Sequence, residues 1–191
     1  MRKRLLNFWI DKETLQKFKA KYKNISARIR ELIESDLNNN SEIIVQRDNL
    51  ALFRNLIFED ELPIQVYGNV GVGKSSIVKK LIENTSDKVF VVLDSHNEYD
   101  LPTIQTIPDN LKKSVRILLP EQPSAAQGIF NLYANQILSR KWPDNYCFVI
   151  EESHRYKETK LLLREGRKFA KLITISPDPL VSFCKCIRIV K

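Results

Sequence analysis

The feature that most restricts what this chain can fold into is the octapeptide Gly68-Asn69-Val70-Gly71-Val72-Gly73-Lys74-Ser75. It fits G-x-x-x-x-G-K-[ST] at every fixed position. An apolar run at residues 63–67 enters it and a helical pattern at residues 75–81 leaves it. Strand, glycine loop and helix let successive backbone N–H groups and a helix N-terminus surround a phosphate. A glycine-rich turn with a chance Lys-Ser would need neither flank. The expected nucleotide contacts are therefore Gly68, Asn69, Val70, Gly71, Val72, Gly73, Lys74, Ser75 and Ser76. Lys74 is expected to reach the β- and γ-phosphates of ATP, and the Ser75 hydroxyl to ligate Mg²⁺.

Downstream, apolar runs alternate with helical patterns, which predicts an α/β fold with a mainly parallel sheet of the P-loop NTPase kind. The expected strands are residues 89–94, 115–119, 146–150, 171–176 and 186–190, with a helix over 125–138. The run Tyr146-Cys147-Phe148-Val149-Ile150 delivers two adjacent acids, Glu151 and Glu152. Beside a phosphate loop, the first acid can hold the metal and the second can orient or deprotonate water. Glu151 is thus expected at Mg²⁺, and Glu152 as the catalytic base.

Residues 60–191 resemble a shortened HerA/FtsK-type ATPase, the class of hexameric DNA translocases that includes viral genome-packaging ATPases. The resemblance rests on four segments in order, beginning with the phosphate loop. Asp94-Ser95-His96-Asn97-Glu98-Tyr99 is close to that family's Asp-Pro-His-Gly-Glu-Tyr. Glu151-Glu152-Ser153-His154-Arg155-Tyr156 is close to its Asp-Glu-Ala-His-Arg-Phe, and Arg164-Glu165-Gly166-Arg167-Lys168 matches its Arg-Glu-Gly-Arg-Lys. The resemblance implies a RecA/HerA-like fold, ATP hydrolysis, a Glu152 base and ring assembly. It makes Arg164 and Arg167 candidates for contact with phosphate or a neighbouring subunit, against a plain reading as solvated helix charge. The chain departs from the family at Glu151, where Asp is usual. It also departs at Thr174-Ile175-Ser176-Pro177-Asp178, where a Gln usually senses the γ-phosphate and Ser176 is the nearest substitute. A slow ATPase, or one using ATP as a switch, fits these departures.

The first 37 residues have their own pattern. Leu6, Phe8 and Ile10 alternate with Leu5, Asn7 and Trp9 at strand period, Asp11 can cap a helix from Lys12, and a second helix carries Ile25, Ile29, Leu32, Ile33 and Leu37 on one face. So small a unit needs a partner chain to bury its apolar face. It resembles the ribbon-helix-helix DNA-binding family of the Arc, MetJ and CopG repressors over residues 2–37. That resemblance implies a homodimer through the N-terminal strand and a two-stranded ribbon in the major groove of double-stranded DNA. It places Leu5, Asn7 and Trp9 on the groove side, behind the basic start Arg2, Lys3 and Arg4. The second helix start, near Lys23, Asn24 and Ser26, would meet a phosphate. Leu5 and Trp9 replace the polar residues usual there. An amphipathic hairpin used only for self-association is the alternative.

Charge agrees with a polyanionic partner. The chain carries a formal +8, and residues 1–40 hold ten Lys or Arg against five Asp or Glu. The expected division is a DNA-binding and dimerisation segment at 1–37, a polar linker at 38–46 and the ATPase domain at 47–191. No apolar run is long enough to span a bilayer. Cys147, Cys184 and Cys186 lack zinc-like spacing and read as structural thiols of a cytoplasmic protein. These signs favour an ATPase that moves, packages or remodels duplex DNA, in a dimer or hexameric ring, of a small archaeal virus or plasmid. A non-motor ATP-binding DNA regulator or partition factor stands beside it, as does an interaction module with ATP as structural ligand.

Overall fold

The structure, a computed structural model, describes residues 42–59 and 61–191. The expected ribbon-helix-helix segment and its DNA contacts, Arg2 to Ser26, lie outside the described residues.

Seven strands form one sheet in the order β1-β7-β2-β6-β5-β3-β4, and every pairing is parallel. They are β1 (Ile43–Gln46), β2 (Ile64–Tyr67), β3 (Val89–Asp94), β4 (Val115–Leu118), β5 (Tyr146–Ile150), β6 (Lys171–Ser176) and β7 (Lys185–Val190). The helices are α1 (Leu50–Phe58), α2 (Lys74–Glu83), α3 (Pro123–Leu138) and α4 (Thr159–Gly166), with a 3₁₀ turn at Ser153–Arg155. Parallel strands need crossovers, and helices on both faces bury the sheet twice over. Hence β2, β3 and β5 are buried along their whole length.

Alternation along the strands divides the core. Phe90 and Val92 face one side with Val66 and Val149, under Phe53 and Ile57 of α1 and Ile77 and Leu81 of α2. Val91 and Leu93 face the other with Phe148 and Ile150, under Phe130 and Ile137 of α3 and Leu162 of α4. Each such side chain stabilises the fold by about 1.5–3 kcal/mol on full burial. Pro123 begins α3, where its missing N–H costs nothing.

One boundary differs from expectation. The linker expected to reach residue 46 ends earlier, because Ile43–Gln46 is β1 and pairs with β7 from Ile43↔Ile187 to Gln46↔Val190. Val45 is buried, and Ile44 on the opposite face is exposed. The first helix, α1, begins at Leu50, where the Asn49 side chain accepts a hydrogen bond from Leu52 N at 3.2 Å.

Gln65 is a wholly buried polar residue in β2. Its amide oxygen accepts from Leu180 N (2.6 Å) and Val181 N (3.1 Å), and its amide nitrogen donates to the Val181 carbonyl and to Cys186 Sγ. The side chain thus ties the β6–β7 connection to the centre of the sheet. The three cysteines are buried and none is in a disulfide, and burial pushes the thiols of Cys147 and Cys184 up to about 12.

Two outcomes follow. Gln65→Leu leaves two partly buried N–H groups without their acceptor and should lower stability by about 1–3 kcal/mol, read as a shifted urea midpoint. The three thiols should resist iodoacetamide at pH 8 in the native protein and react on unfolding, as mass spectrometry would count.

Candidate functional site

The carboxyl ends of the strands converge on one edge, the usual place for a ligand in an open parallel sheet. There the phosphate loop follows β2, Asp94 ends β3, Glu151 follows β5 and Ser176 ends β6. In the sheet, β6 lies between the loop strand and the acid strand.

The loop's shape is set by backbone that only glycine adopts readily. Gly68 has φ +143, and a Cβ there would lie 2.6 Å from the Ile189 carbonyl oxygen, so β7 closes directly on the loop. Gly68 N also donates to the Pro177 carbonyl at 3.1 Å, tying the loop to the turn after β6. Gly73 has φ +100 and caps α2 without any side-chain cap, which leaves the helix's first N–H groups to a ligand. Asn69, Val70 and Ser76 are exposed on the loop and first turn. Lys74 Nζ donates to the carbonyls of Gly68 (2.8 Å) and Asn69 (3.1 Å). Burial lowers the Lys74 pKa, and the charges of Glu152 and Glu151 work against that shift.

Glu151 is 3 % exposed. The Tyr99 hydroxyl donates to its Oε1, and it also shares a hydrogen bond with Ser75. Burial raises its carboxyl pKa, the Tyr99 and Ser75 hydrogen bonds hold it down, and the charges of Glu98 and Glu152 add to the rise. The two residues expected to hold Mg²⁺ therefore face one another, near enough for Ser75 to lower the Glu151 pKa. An oxygen-only pair beside a positive-φ cradle suits a hard cation with a polyphosphate. Glu152 takes φ +49, a conformation that costs a side-chain-bearing residue about 1–3 kcal/mol and persists where the surroundings impose it. The 3₁₀ turn after it is fixed by Ser153 Oγ donating to the Ile175 carbonyl (2.9 Å) and Thr159 Oγ1 to the Ser153 carbonyl (2.8 Å). His154 Nε2 lies 3.6 Å from Glu152 Oε2.

The segment after β3 supplies residues to which the sequence assigned no role. Asp94 is fully buried and accepts from the backbone N–H groups of His96 (3.2 Å), Glu98 (3.1 Å) and Tyr99 (3.0 Å). Arg116 Nη1 lies 3.5 Å from Asp94 Oδ2 and also donates to the Tyr99 carbonyl. This folds residues 95–99 into a tight loop that aims the Tyr99 hydroxyl at Glu151. Asn97 occupies the left-handed region at φ +55, where the resembled motif has Gly, and Asn is among the side chains that tolerate it. Lys79 of α2 pairs with Glu98 at 3.4 Å and sits over the Tyr99 ring. The signal in the sequence was an acid at a strand end followed by a short polar loop.

Three further candidate residues are placed as follows. Ser176 is buried and its hydroxyl donates to the Asp178 carbonyl at 2.5 Å, so it serves its own turn. Arg164 is exposed and pairs with Glu165 at 3.0 Å. Arg167 lines a cavity of about 360 Å³ with Lys88, Trp142, Asp144 and Lys171, at the starts of β3, β5 and β6. The crossover helix α4 runs back along the sheet, which carries both arginines away from the phosphate loop. Arg167 thus stands at the edge of the sheet opposite the phosphate loop.

Asp94→Ala should cost about 3–5 kcal/mol in chemical denaturation, because Arg116 and three N–H groups lose their buried partner. Asp94→Asn, which keeps an acceptor, should cost less. A change below about 1 kcal/mol for the alanine variant would be inconsistent with this account.

A family profile described as "Helicase HerA, central domain" matches residues 64–179. No curated protein and no solved structure matches the chain. The matched span opens on the first residue of β2 and takes in the phosphate loop, the Asp94 loop, both glutamates and α4. The chain therefore belongs to the family of the HerA helicase central domain.

Proposed function

We propose that this chain is a DNA-associated ATPase that hydrolyses ATP to move, package or remodel duplex DNA. The observation that carries the catalytic half is the meeting of Lys74, Ser75, Glu151 and Glu152 at one strand edge. Backbone N–H groups of residues 68–76 bind the phosphates, and the Lys74 ammonium supplies positive charge at the loop's mouth. Ser75 and Glu151 would hold Mg²⁺, which when bound neutralises charge on the phosphate oxygens. Glu152, partly exposed beside the buried Glu151, orients the attacking water and takes its proton. Tyr99 keeps Glu151 turned towards Ser75, so it acts as a positioning residue.

The DNA half is supported by the family and by the basic first 40 residues. In this reading the N-terminal segment docks on duplex DNA as a ribbon-helix-helix dimer through Arg2, Lys3, Arg4 and Asn7. The ATPase units assemble further, a trimer of such dimers making a six-membered ring. No helix among the described residues is long and apolar enough to cross a membrane.

Glu152→Gln should cut turnover by about 10²–10⁴-fold while ATP binding persists, measured by phosphate release and by calorimetry. Retained turnover would remove Glu152 from the mechanism. Wild-type turnover with and without duplex DNA, beside light scattering in Mg-ATP, tests the motor. DNA-stimulated turnover in a hexamer-sized species supports it. A dimer with negligible turnover that binds one DNA sequence far more tightly than others would establish a regulator instead.

A further inference from the structure

Arg47 follows β1 immediately, outside the span matched by the family profile. Its backbone N–H donates to the Val190 carbonyl at 3.0 Å, so the end of the sheet fixes where it stands. Its aliphatic stem lies along the phosphate loop: a Cβ added at Gly73 would sit 3.4 Å from Arg47 Cδ and 3.6 Å from Arg47 Cβ.

The guanidinium is exposed and has no hydrogen bond or ion pair among the described residues. Among the described arginines, Arg54, Arg116, Arg140, Arg164 and Arg188 each have a carboxylate partner, whereas Arg47, Arg155 and Arg167 have none. Arg47 instead stands next to the N-terminus of α2, the positive end of that helix's dipole. A cation laid there without a counter-charge is disfavoured until an anion joins it. Arginine is also the side chain suited to phosphate recognition, with a planar fork of donors and a charge that is not lost near neutral pH.

Position along the sheet says which part of the anion it meets. Glu151 and Glu152 follow β5, on one side of the loop strand β2, and the phosphoryl group that reacts must point to them. Arg47 and the ends of β7 and β1 lie on the other side. A nucleotide whose terminal phosphate faces the acids has its α-phosphate and sugar end on Arg47's side.

We propose that Arg47 binds the α-phosphate of the nucleotide, making β1 part of the ATP site. This rests on the nucleotide-binding reading above. The stem packs on the loop while the charged head reaches the phosphate, so Arg47→Gln removes the charge and keeps the packing.

The test is calorimetry on the full chain with Mg-ADP, Mg-UDP and a non-hydrolysable ATP analogue. Arg47→Gln should weaken all three by the same factor, about tenfold or more, with Arg47→Lys recovering much of the loss. Its melting temperature without nucleotide should match the wild type. Wild-type affinity for all three in Arg47→Gln overturns the proposal. A loss confined to the ATP analogue places Arg47 at the γ-phosphate, and a loss shared by ADP and the ATP analogue but absent for UDP makes it a base-stacking residue; either result also overturns it. If the wild-type chain binds none of the three, the nucleotide reading itself fails, and Arg47 falls with it.

Discussion

The structure depends on keeping a carboxylate, Glu151, out of water at the end of a buried strand. A buried carboxylate is tolerated only where donors or charges compensate for lost hydration. Here the donors come from two other elements: Ser75 from the first turn of α2, and Tyr99 from the loop after β3. Satisfying one side chain therefore fixes three loops relative to one another. Tyr99 is in position because Asp94 gathers the N–H groups of residues 96, 98 and 99, and Asp94 is held in turn by Arg116. Polar satisfaction thus runs from β4 to the phosphate loop, across a site that burial alone would leave loosely specified.

The other side of the loop is built differently. Gly68 is closed in by the Ile189 carbonyl, and the Arg47 stem lies on Gly73. Both contacts come from the β7–β1 pair, the first and last strands of the described chain. Backbone packed against backbone leaves no room for a Cβ at Gly68, so the loop's path is set by sterics there and by hydrogen bonding on the acid side. Gln65 adds to this by tying residues 180–181 to β2, which keeps the turn carrying Pro177 against Gly68 N. A substitution well away from the phosphates can therefore act on the loop through β7.

What could be read from the sequence follows from which forces are local. The central strands were legible because parallel strands buried on both faces read as apolar runs, as in Val89-Phe90-Val91-Val92-Leu93. The phosphate loop was legible because its glycines are required by a local path. β1 was not: Ile43–Gln46 is four residues long, and its partner is the last strand, a pairing that local pattern does not encode. Asp94 was visible as an acid at a strand end, but its work is done on backbone N–H groups that any sequence supplies. The positions of Arg164 and Arg167 were not legible from their motif, for a geometric reason. Their motif matches residue by residue, yet the crossover carries the end of α4 to the opposite edge of the sheet from the site.

Charge is divided unevenly along the chain. Residues 1–40 hold an excess of five basic residues, which leaves twenty-one basic against eighteen acidic in the remaining 151. A long-range field that draws in a polyanion therefore originates mainly in the first 40 residues. At the strand edge, charge acts over contact distances: Glu151 and Glu152 stand beside Lys74, and their charge favours its protonated form while burial opposes it. Such an arrangement attracts little at a distance, but it is ordered for a polyphosphate that brings its own cation.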